Sequence, residues 1–103
     1  MKKSLRSNPG MHRPRRKPMK LAKKLLRIRQ ALGLSQNQLI EELGLEEPIT
    51  QRNISAWELG KREPDLLTLI SYAKAANICL DVLVDDRYEL PEALPSKRTF
   101  HPH

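Results

Sequence analysis

The segment spanning residues 50–61 constrains the fold most, because it has the features of one short, capped helix. Thr50 is a suitable N-cap, since its hydroxyl oxygen can accept a free backbone N–H of the first turn. Gly60 can adopt the left-handed conformation that ends a helix. Ile54 and Trp57 lie three residues apart and therefore share one face. We expect that face to be buried in a hydrophobic core.

The polar first turn of this helix suggests a function. Gln51, Arg52 and Asn53 follow the cap and lie outside the buried stripe. A helix that buries one stripe and presents such side chains from its amino-terminal end is suited to reading base edges in the major groove of DNA. The alternative is an ordinary surface helix, because the first turns of helices are commonly polar.

Four further helices are predicted around this one, which makes the fold all-α with five helices. Apolar residues recur at helical spacing in three longer segments, and Gly33, Gly44 and Asn77 are suitable C-terminal stops. Ser35 and Asp65 are suitable N-caps. The residues expected to be buried are Leu21, Leu25, Ile28 and Leu32 in the first helix, Leu39, Ile40 and Leu43 in the second, Leu66, Leu69, Ile70 and Ala73 in the fourth, and Leu80 and Leu83 in the fifth.

The fifth helix is predicted over residues 79–84. A β-strand over residues 78–84 is the alternative, because the segment is rich in Val, Ile and Leu, but no other segment offers a strand partner. Cys79 is the only cysteine, which excludes an internal disulfide. Its apolar neighbours predict a small, buried side chain.

Charge is distributed unevenly along the chain and indicates its organisation. The net charge is +7, yet the first 40 residues hold 12 Lys and Arg and no acidic residue. Such asymmetry is typical of a basic arm attached to a soluble domain. We therefore predict a disordered basic arm over residues 1–18, a helical domain over residues 19–86 and an irregular tail over residues 87–103.

The arm is the first candidate for contact with a polyanion. It has too few apolar residues to order itself. Its basic side chains resemble those of arms that enter a minor groove or follow phosphates, and a merely solubilising tail is the alternative. The residues concerned are Arg13, Arg15, Arg16 and Lys17.

Several other classes of protein find no support. No stretch approaches the roughly 18 apolar residues of a membrane span, and no apolar segment of a secretory signal follows the basic start, so we expect a cytoplasmic protein. No catalytic motif is present, so we expect no enzymatic activity, no cofactor and no small-molecule substrate. His101 and His103 could bind a metal only adventitiously.

Together these residues resemble the Cro/phage-repressor-like helix-turn-helix family, also called the XRE family. The resemblance covers about residues 21–84 and implies a five-helix domain that binds double-stranded DNA, commonly as a homodimer on palindromic operators. The matching residues are Leu34, Ser35, Gln36, Leu39, Leu43, Gly44, Ile54, Ser55, Trp57, Glu58, Gly60, Lys61, Pro64, Leu66 and Leu69.

The resemblance also implies roles for individual residues. Arg29 and Glu58 match a pair that often forms a salt bridge between the first and third helices. The positions that face bases are Gln51, Arg52 and Ala56. The positions near phosphates are Gln36, Thr50, Asn53, Lys61 and Arg62.

Some of these roles have alternatives. Arg52 can pair with guanine, contact a phosphate or form a surface ion pair, and Gln51 can pair with adenine or brace against Gln36. Trp57 is interpreted as a core residue rather than a platform for base stacking. Lys20, Lys23 and Lys24 are weaker phosphate candidates, because charges on an exposed helix face are often merely solvated.

Three features of the sequence, one insertion and two single residues, depart from the family pattern. The chain has four residues more than the common spacing between Gly44 and Ile54. Ile40 occupies a position where the second and third helices usually cross on a small residue, so we expect the longer turn to let the third helix shift. A long polar side chain is frequent at the position of Ala56, although alanine can pack on a thymine methyl group.

The sequence therefore predicts a DNA-binding transcriptional regulator, acting as a repressor, that reads the major groove with residues 51–59. A homodimer contact is expected at the fifth helix and tail, where Val82, Val84 and Leu90 have no evident role within the domain. The alternative is a protein-interaction module of the same fold, such as an antitoxin or transcriptional coactivator. In that case the tail over residues 88–100 is the expected docking segment.

Overall fold

The computed structural model describes residues 18–94, and in this range all regular secondary structure is helical. The all-α prediction with five helices is confirmed, and the alternative strand is not formed. None of the described helices is both long and apolar enough to cross a membrane. The helices are α1 (Leu21–Leu32), α2 (Gln36–Leu43), α3 (Gln51–Glu58), α4 (Leu66–Ala76) and α5 (Leu80–Val84).

The helix ends follow the predicted caps. The Ser35 hydroxyl accepts the backbone N–H of Gln38, whose side chain in turn accepts the N–H of Ser35. Asp65 accepts the backbone N–H of Thr68 at 2.9 Å. Interaction with the Thr68 side chain, and then with this N–H, holds the pKa of the Asp65 carboxyl below its ordinary value. Asn77 has a φ of 57° and ends α4 in the left-handed conformation, which asparagine tolerates better than most residues. These local contacts define where the chain turns.

One core joins all five helices. Trp57 and Tyr72 meet edge to face at its centre, with ring centroids 6.4 Å apart, an arrangement that aromatic pairs prefer. The buried apolar residues are Leu21, Leu25, Ile28, Leu32, Leu39, Leu43, Ile54, Trp57, Tyr72, Ala73, Ala76, Leu83 and Leu90. The predicted stripes of α1 and α3 are thus buried, and this burial orients α3 on the domain.

The predicted stripe of α4 is partly wrong. Leu66 is 61% exposed and Ile70 is only half-buried. The helix instead buries Thr68, Tyr72 and Ala76, which are spaced by four residues and share one face. With Tyr72 on the buried face, Leu66 in the first turn lies on the exposed side of the helix.

Two predictions near the end of the domain are wrong. Cys79 is exposed rather than buried, because it lies in extended backbone before α5 and not within that helix. Leu90 is buried in the core instead of being left for a second copy of the chain. Val82 and Val84 are half-buried and pack against the same core. The segment after α5 therefore folds back onto the domain.

Lys24 is buried although we expected it on an exposed face. Its side chain runs from α1 to the end of α5, where Nζ donates hydrogen bonds to the carbonyl oxygens of Val82 at 2.7 Å and Asp85 at 3.1 Å. Burial lowers the pKa of its ammonium group. Since these bonds occupy the charged end, Lys24 is not a phosphate contact.

Replacing Lys24 by alanine is expected to lower the free energy of unfolding by about 1–3 kcal/mol, because two partly buried carbonyl groups lose a charged donor. Chemical denaturation measures this change. Lys23→Ala is the matched control on the exposed face of the same helix, and it should change stability by no more than about 0.5 kcal/mol. Equal effects of the two substitutions would contradict the assignment.

Candidate nucleic-acid interface

The first turn of α3 is held by a reciprocal cap. The Thr50 hydroxyl accepts the backbone N–H of Asn53 at 3.4 Å, and Asn53 Oδ1 accepts the N–H of Thr50 at 2.8 Å. Two predicted phosphate contacts thus use their side-chain oxygens to start the helix. The hydrogens of the Asn53 amide group remain for an external acceptor.

The carboxy-terminal end of α3 is bound to α1 by an ion pair with two hydrogen bonds. Arg29 Nε and Nη2 donate to the two carboxylate oxygens of Glu58 at 2.7 and 3.1 Å. The Arg29 and Glu58 side chains retain 18% and 6% of their exposure. The carboxylate raises the pKa of Arg29. The pair implied by the family resemblance is therefore present and largely buried.

Glu58 also begins a chain of hydrogen bonds that reaches the surface. Gln36 Nε2 donates to Glu58 Oε1 at 3.1 Å, and Gln51 Nε2 donates to Gln36 Oε1 at 3.0 Å. The predicted brace between Gln51 and Gln36 is formed. The chain links α1, α2 and α3, and it limits the freedom of the exposed Gln51 side chain.

The outer face of α3 forms one wall of an open concavity. Its volume is about 440 Å³, and it brings together all three residues predicted to face bases and two of those predicted to contact phosphates, Gln36 and Lys61. Ser55 and Leu59 were given no role, although their spacing of four and eight residues from Gln51 places them on the same face. The lining residues are Gln36, Gln51, Arg52, Ser55, Ala56, Leu59 and Lys61.

Arg52 is one of two positive charges on this surface, together with Lys61. It is exposed, and within residues 18–94 it has no hydrogen-bond or ion-pair partner. The surface ion pair that was one of its three alternatives is therefore not formed in this part of the chain. Lys61 is exposed on the same concavity, while Arg62 lies at its side in a crevice with Pro18 and Met19.

A family model described as helix-turn-helix matches residues 25–83, which run from α1 into α5. The chain belongs to the helix-turn-helix family. It is of the Cro/C1 type, or XRE family, as predicted, and its domain is a DNA-binding regulatory domain. No curated protein and no solved structure matches the chain.

The helix-turn-helix motif is formed by α2 and α3, and the longer turn lies between them. Glu46, Glu47 and Pro48 in this turn are exposed, and Gln51 and Arg52 are exposed beside them. The additional residues therefore do not cover the start of α3. Ile40 is half-buried and packs against the core. The expected shift of α3 relative to other family members stays a prediction.

The remaining basic residues that are candidates for phosphate contact in this helix-turn-helix domain differ in whether another side chain already binds them. Both Lys20 and Lys23 are exposed. Lys20 Nζ forms a salt bridge with Glu89 at 2.7 Å, which raises the pKa of Lys20, whereas Lys23 has no ion-pair partner within residues 18–94. The arm residues Arg13, Arg15, Arg16 and Lys17, and also His101 and His103, lie outside the described residues. Among the residues that are described, no group of three or more His, Cys, Asp or Glu could hold a metal ion.

Proposed function

We propose that this helix-turn-helix protein is a sequence-specific transcriptional regulator, acting as a repressor, whose α3 reads base edges in the major groove. The observation that carries the proposal is the open face of α3, where Gln51, Arg52 and Ala56 share a concavity with Lys61. Polar donors on a firmly anchored helix, flanked by a cation, are what base reading requires. An ordinary surface helix needs neither the anchoring network nor the unpaired arginine.

Two side chains have donors suited to base edges. The free guanidinium of Arg52 can donate to O6 and N7 of a guanine. Gln51 uses one N–H hydrogen on Gln36, which leaves its oxygen and a second hydrogen for an adenine. Ala56 offers a methyl group that can pack on a thymine. The site therefore favours a short sequence that contains both G·C and A·T pairs in each half of an operator.

Phosphate contacts are assigned to the residues around this face. Gln36 keeps one amide hydrogen, and Lys61 and Arg62 are exposed directly after α3. Thr50 and Asn53 stay phosphate candidates at the other end of the helix. The arm residues Arg13, Arg15, Arg16 and Lys17 add four positive charges. Such contacts supply affinity and register, and the bases supply preference.

We further propose that the protein binds its operator as a homodimer. A single helix-turn-helix module buries little protein surface on DNA, and pairing two half-sites is the usual remedy. Leu90 no longer belongs to the contact surface, since it is buried within the domain. Val82 and Val84 of α5 are half-buried and remain the proposed contact.

Selection of bound sequences from a random pool of duplexes tests the proposal. We expect the selected duplexes to share a palindromic consensus. The affinity for them should fall steeply with salt concentration, because six cations on phosphates (the four of the arm with Lys61 and Arg62) give a slope of log K against log salt of about −5. The rival assignment, a protein-interaction module, predicts no enriched duplex. Its apolar docking contact would also be nearly insensitive to salt.

A further inference from the structure

Glu58 determines which end of the amide group two neighbouring glutamines present. A carboxylate oxygen only accepts hydrogen bonds, so the amide group that contacts Glu58 must present its nitrogen. Gln36 accordingly donates from Nε2 to Glu58 Oε1 at 3.1 Å, which leaves its oxygen for the next contact. Gln51 therefore donates from Nε2 to that oxygen at 3.0 Å. The orientation of both amide groups thus follows from one buried carboxylate.

Arg29 holds Glu58 as an acceptor on both of its oxygens. Arg29 Nε donates to Oε2 at 2.7 Å and Nη2 donates to Oε1 at 3.1 Å, and a guanidinium has no acceptor to offer in return. The Glu58 side chain is only 6% exposed, so little water reaches these contacts. The orientation of Gln36 is therefore fixed from the side of the core.

The backbones of the two glutamines are fixed as well, because each begins a helix. Gln36 directly follows the N-cap Ser35 of α2, and Gln51 directly follows the N-cap Thr50 of α3. Each N-cap forms a reciprocal pair of hydrogen bonds with the third residue of its helix. Only the side-chain torsions of the glutamines remain free, and the hydrogen bonds that start at Glu58 restrain these.

The orientation imposed on Gln51 decides which purine it matches. Its Oε1 and one Nε2 hydrogen have no partner within residues 18–94, and the residue is exposed beside Arg52. In the major groove adenine presents a donor at N6 and an acceptor at N7, whereas guanine presents acceptors at both O6 and N7. One acceptor and one donor on Gln51 match adenine. Against guanine, the Gln51 oxygen would face a second oxygen.

We propose that Glu58 is a positioning residue that makes Gln51 select adenine over guanine, an inference that rests on the function proposed above. Acting through Gln36, the carboxylate keeps the oxygen of Gln51 toward the base edge. Without this constraint the Gln51 amide group can turn over and present two hydrogens to the two acceptors of guanine. Glu58 thereby contributes to base preference without touching DNA.

The first step of the test locates the base that Gln51 reads. Selection of bound duplexes with the unmodified full chain gives the operator, and selection with Gln51→Ala identifies the position whose preference is lost. We expect adenine at this position. Exchange of that A·T pair for G·C should weaken binding of the unmodified chain by about 5- to 150-fold.

Glu58→Gln then tests the role of the carboxylate. Glutamine keeps the size of the side chain but can also donate, so Gln36 and Gln51 can reverse their orientation. The ratio of affinities for the A·T and G·C duplexes should fall by about fivefold or more, whereas the preference at the position read by Arg52 should not change. Fluorescence anisotropy measures both ratios. Glu41→Gln is the matched control, because it removes the same charge from an exposed position on α2 and should leave both ratios unchanged.

A second variant keeps the test decisive if Glu58→Gln is unstable. Thermal unfolding verifies that each variant is folded at the temperature of the binding measurement. If Glu58→Gln is unfolded there, Arg29→Met/Glu58→Met replaces it, because this double variant removes the carboxylate without leaving a buried charge. The same fall in adenine preference is expected, since Gln36 again has no acceptor that fixes its orientation.

The outcomes separate this inference from the proposed function. A smaller fall in adenine preference overturns the inference, and so does an equal change in Glu41→Gln. An equal loss of preference at the position read by Arg52 would also overturn it, because it would mark a general displacement of α3. An operator without adenine at the position read by Gln51, or one that Gln51→Ala does not alter, removes only the inference drawn here. If the unmodified chain selects no duplex, the proposed function itself fails.

Discussion

Replacing Glu58 by alanine is expected to lower the free energy of unfolding by about 3–5 kcal/mol, the range typical of losing one partner of a buried ion pair. Arg29 would keep its charge with only the Leu34 carbonyl as a described partner. Gln36 would lose the acceptor that orients it toward Gln51. Urea denaturation followed by circular dichroism measures the change. The loss is a large fraction of the roughly 5–15 kcal/mol that stabilises a small domain.

Two comparisons identify the cause of this loss. Glu41→Ala, an exposed glutamate on α2, should change stability by no more than about 0.5 kcal/mol. The double variant Arg29→Met/Glu58→Met should be more stable than Glu58→Ala, because it leaves no buried charge without a partner. A double variant that is less stable than Glu58→Ala would show that the pair itself, rather than the abandoned charge, dominates.

Local chemistry made much of the helical arrangement predictable. The cap at Thr50, the stop at Asn77 and the spacing of Ile54 and Trp57 depend on residues within one or two turns. Such patterns are visible in the sequence because the partners are only a few positions apart. The same holds for the open first turn of α3, whose polar side chains follow directly from the buried positions.

The errors share a different physical origin. Lys24 bonds to carbonyl groups about 60 residues away, and Leu90 reaches the core because the segment before it is fixed on α1. Helical periodicity contains no information on such contacts. In α4 the stripe predicted from apolar spacing included Leu66, whereas the helix buries Tyr72, whose ring meets that of Trp57.

The candidate site was partly predictable for the same reason. Its residues were found because they occupy one helix face, but the sequence left Gln51 and Arg52 with alternatives. The structure gives Gln51 its brace on Gln36 and leaves Arg52 without a described partner. The hydrogen bonds from the backbone of Met19 and Lys20 to Asp86 were not predicted, since they depend on a fold that joins the two ends of the domain.

Because Arg52 has no described partner, we expect its replacement to have a large effect on DNA binding. Replacing Arg52 by alanine is expected to weaken binding to the selected operator by about 5- to 150-fold, corresponding to about 1–3 kcal/mol for a lost bidentate pair with guanine. The loss should be confined to operators that carry guanine at one position of each half-site. Fluorescence anisotropy with the selected duplex and with single-base variants measures both quantities.

Comparison with two other variants separates base reading from attraction to phosphate. Lys61→Ala should weaken binding to all duplexes alike and reduce the magnitude of the salt slope by about 1, because it removes a phosphate contact. Arg52→Lys keeps the charge but lacks the planar pair of donors, so it should lose the same base preference as Arg52→Ala. If Arg52→Ala instead weakens binding to every duplex equally and Arg52→Lys restores it, Arg52 contacts a phosphate. The preference of the protein must then come from Gln51 and Ala56, the other two residues of α3 that we propose to face bases.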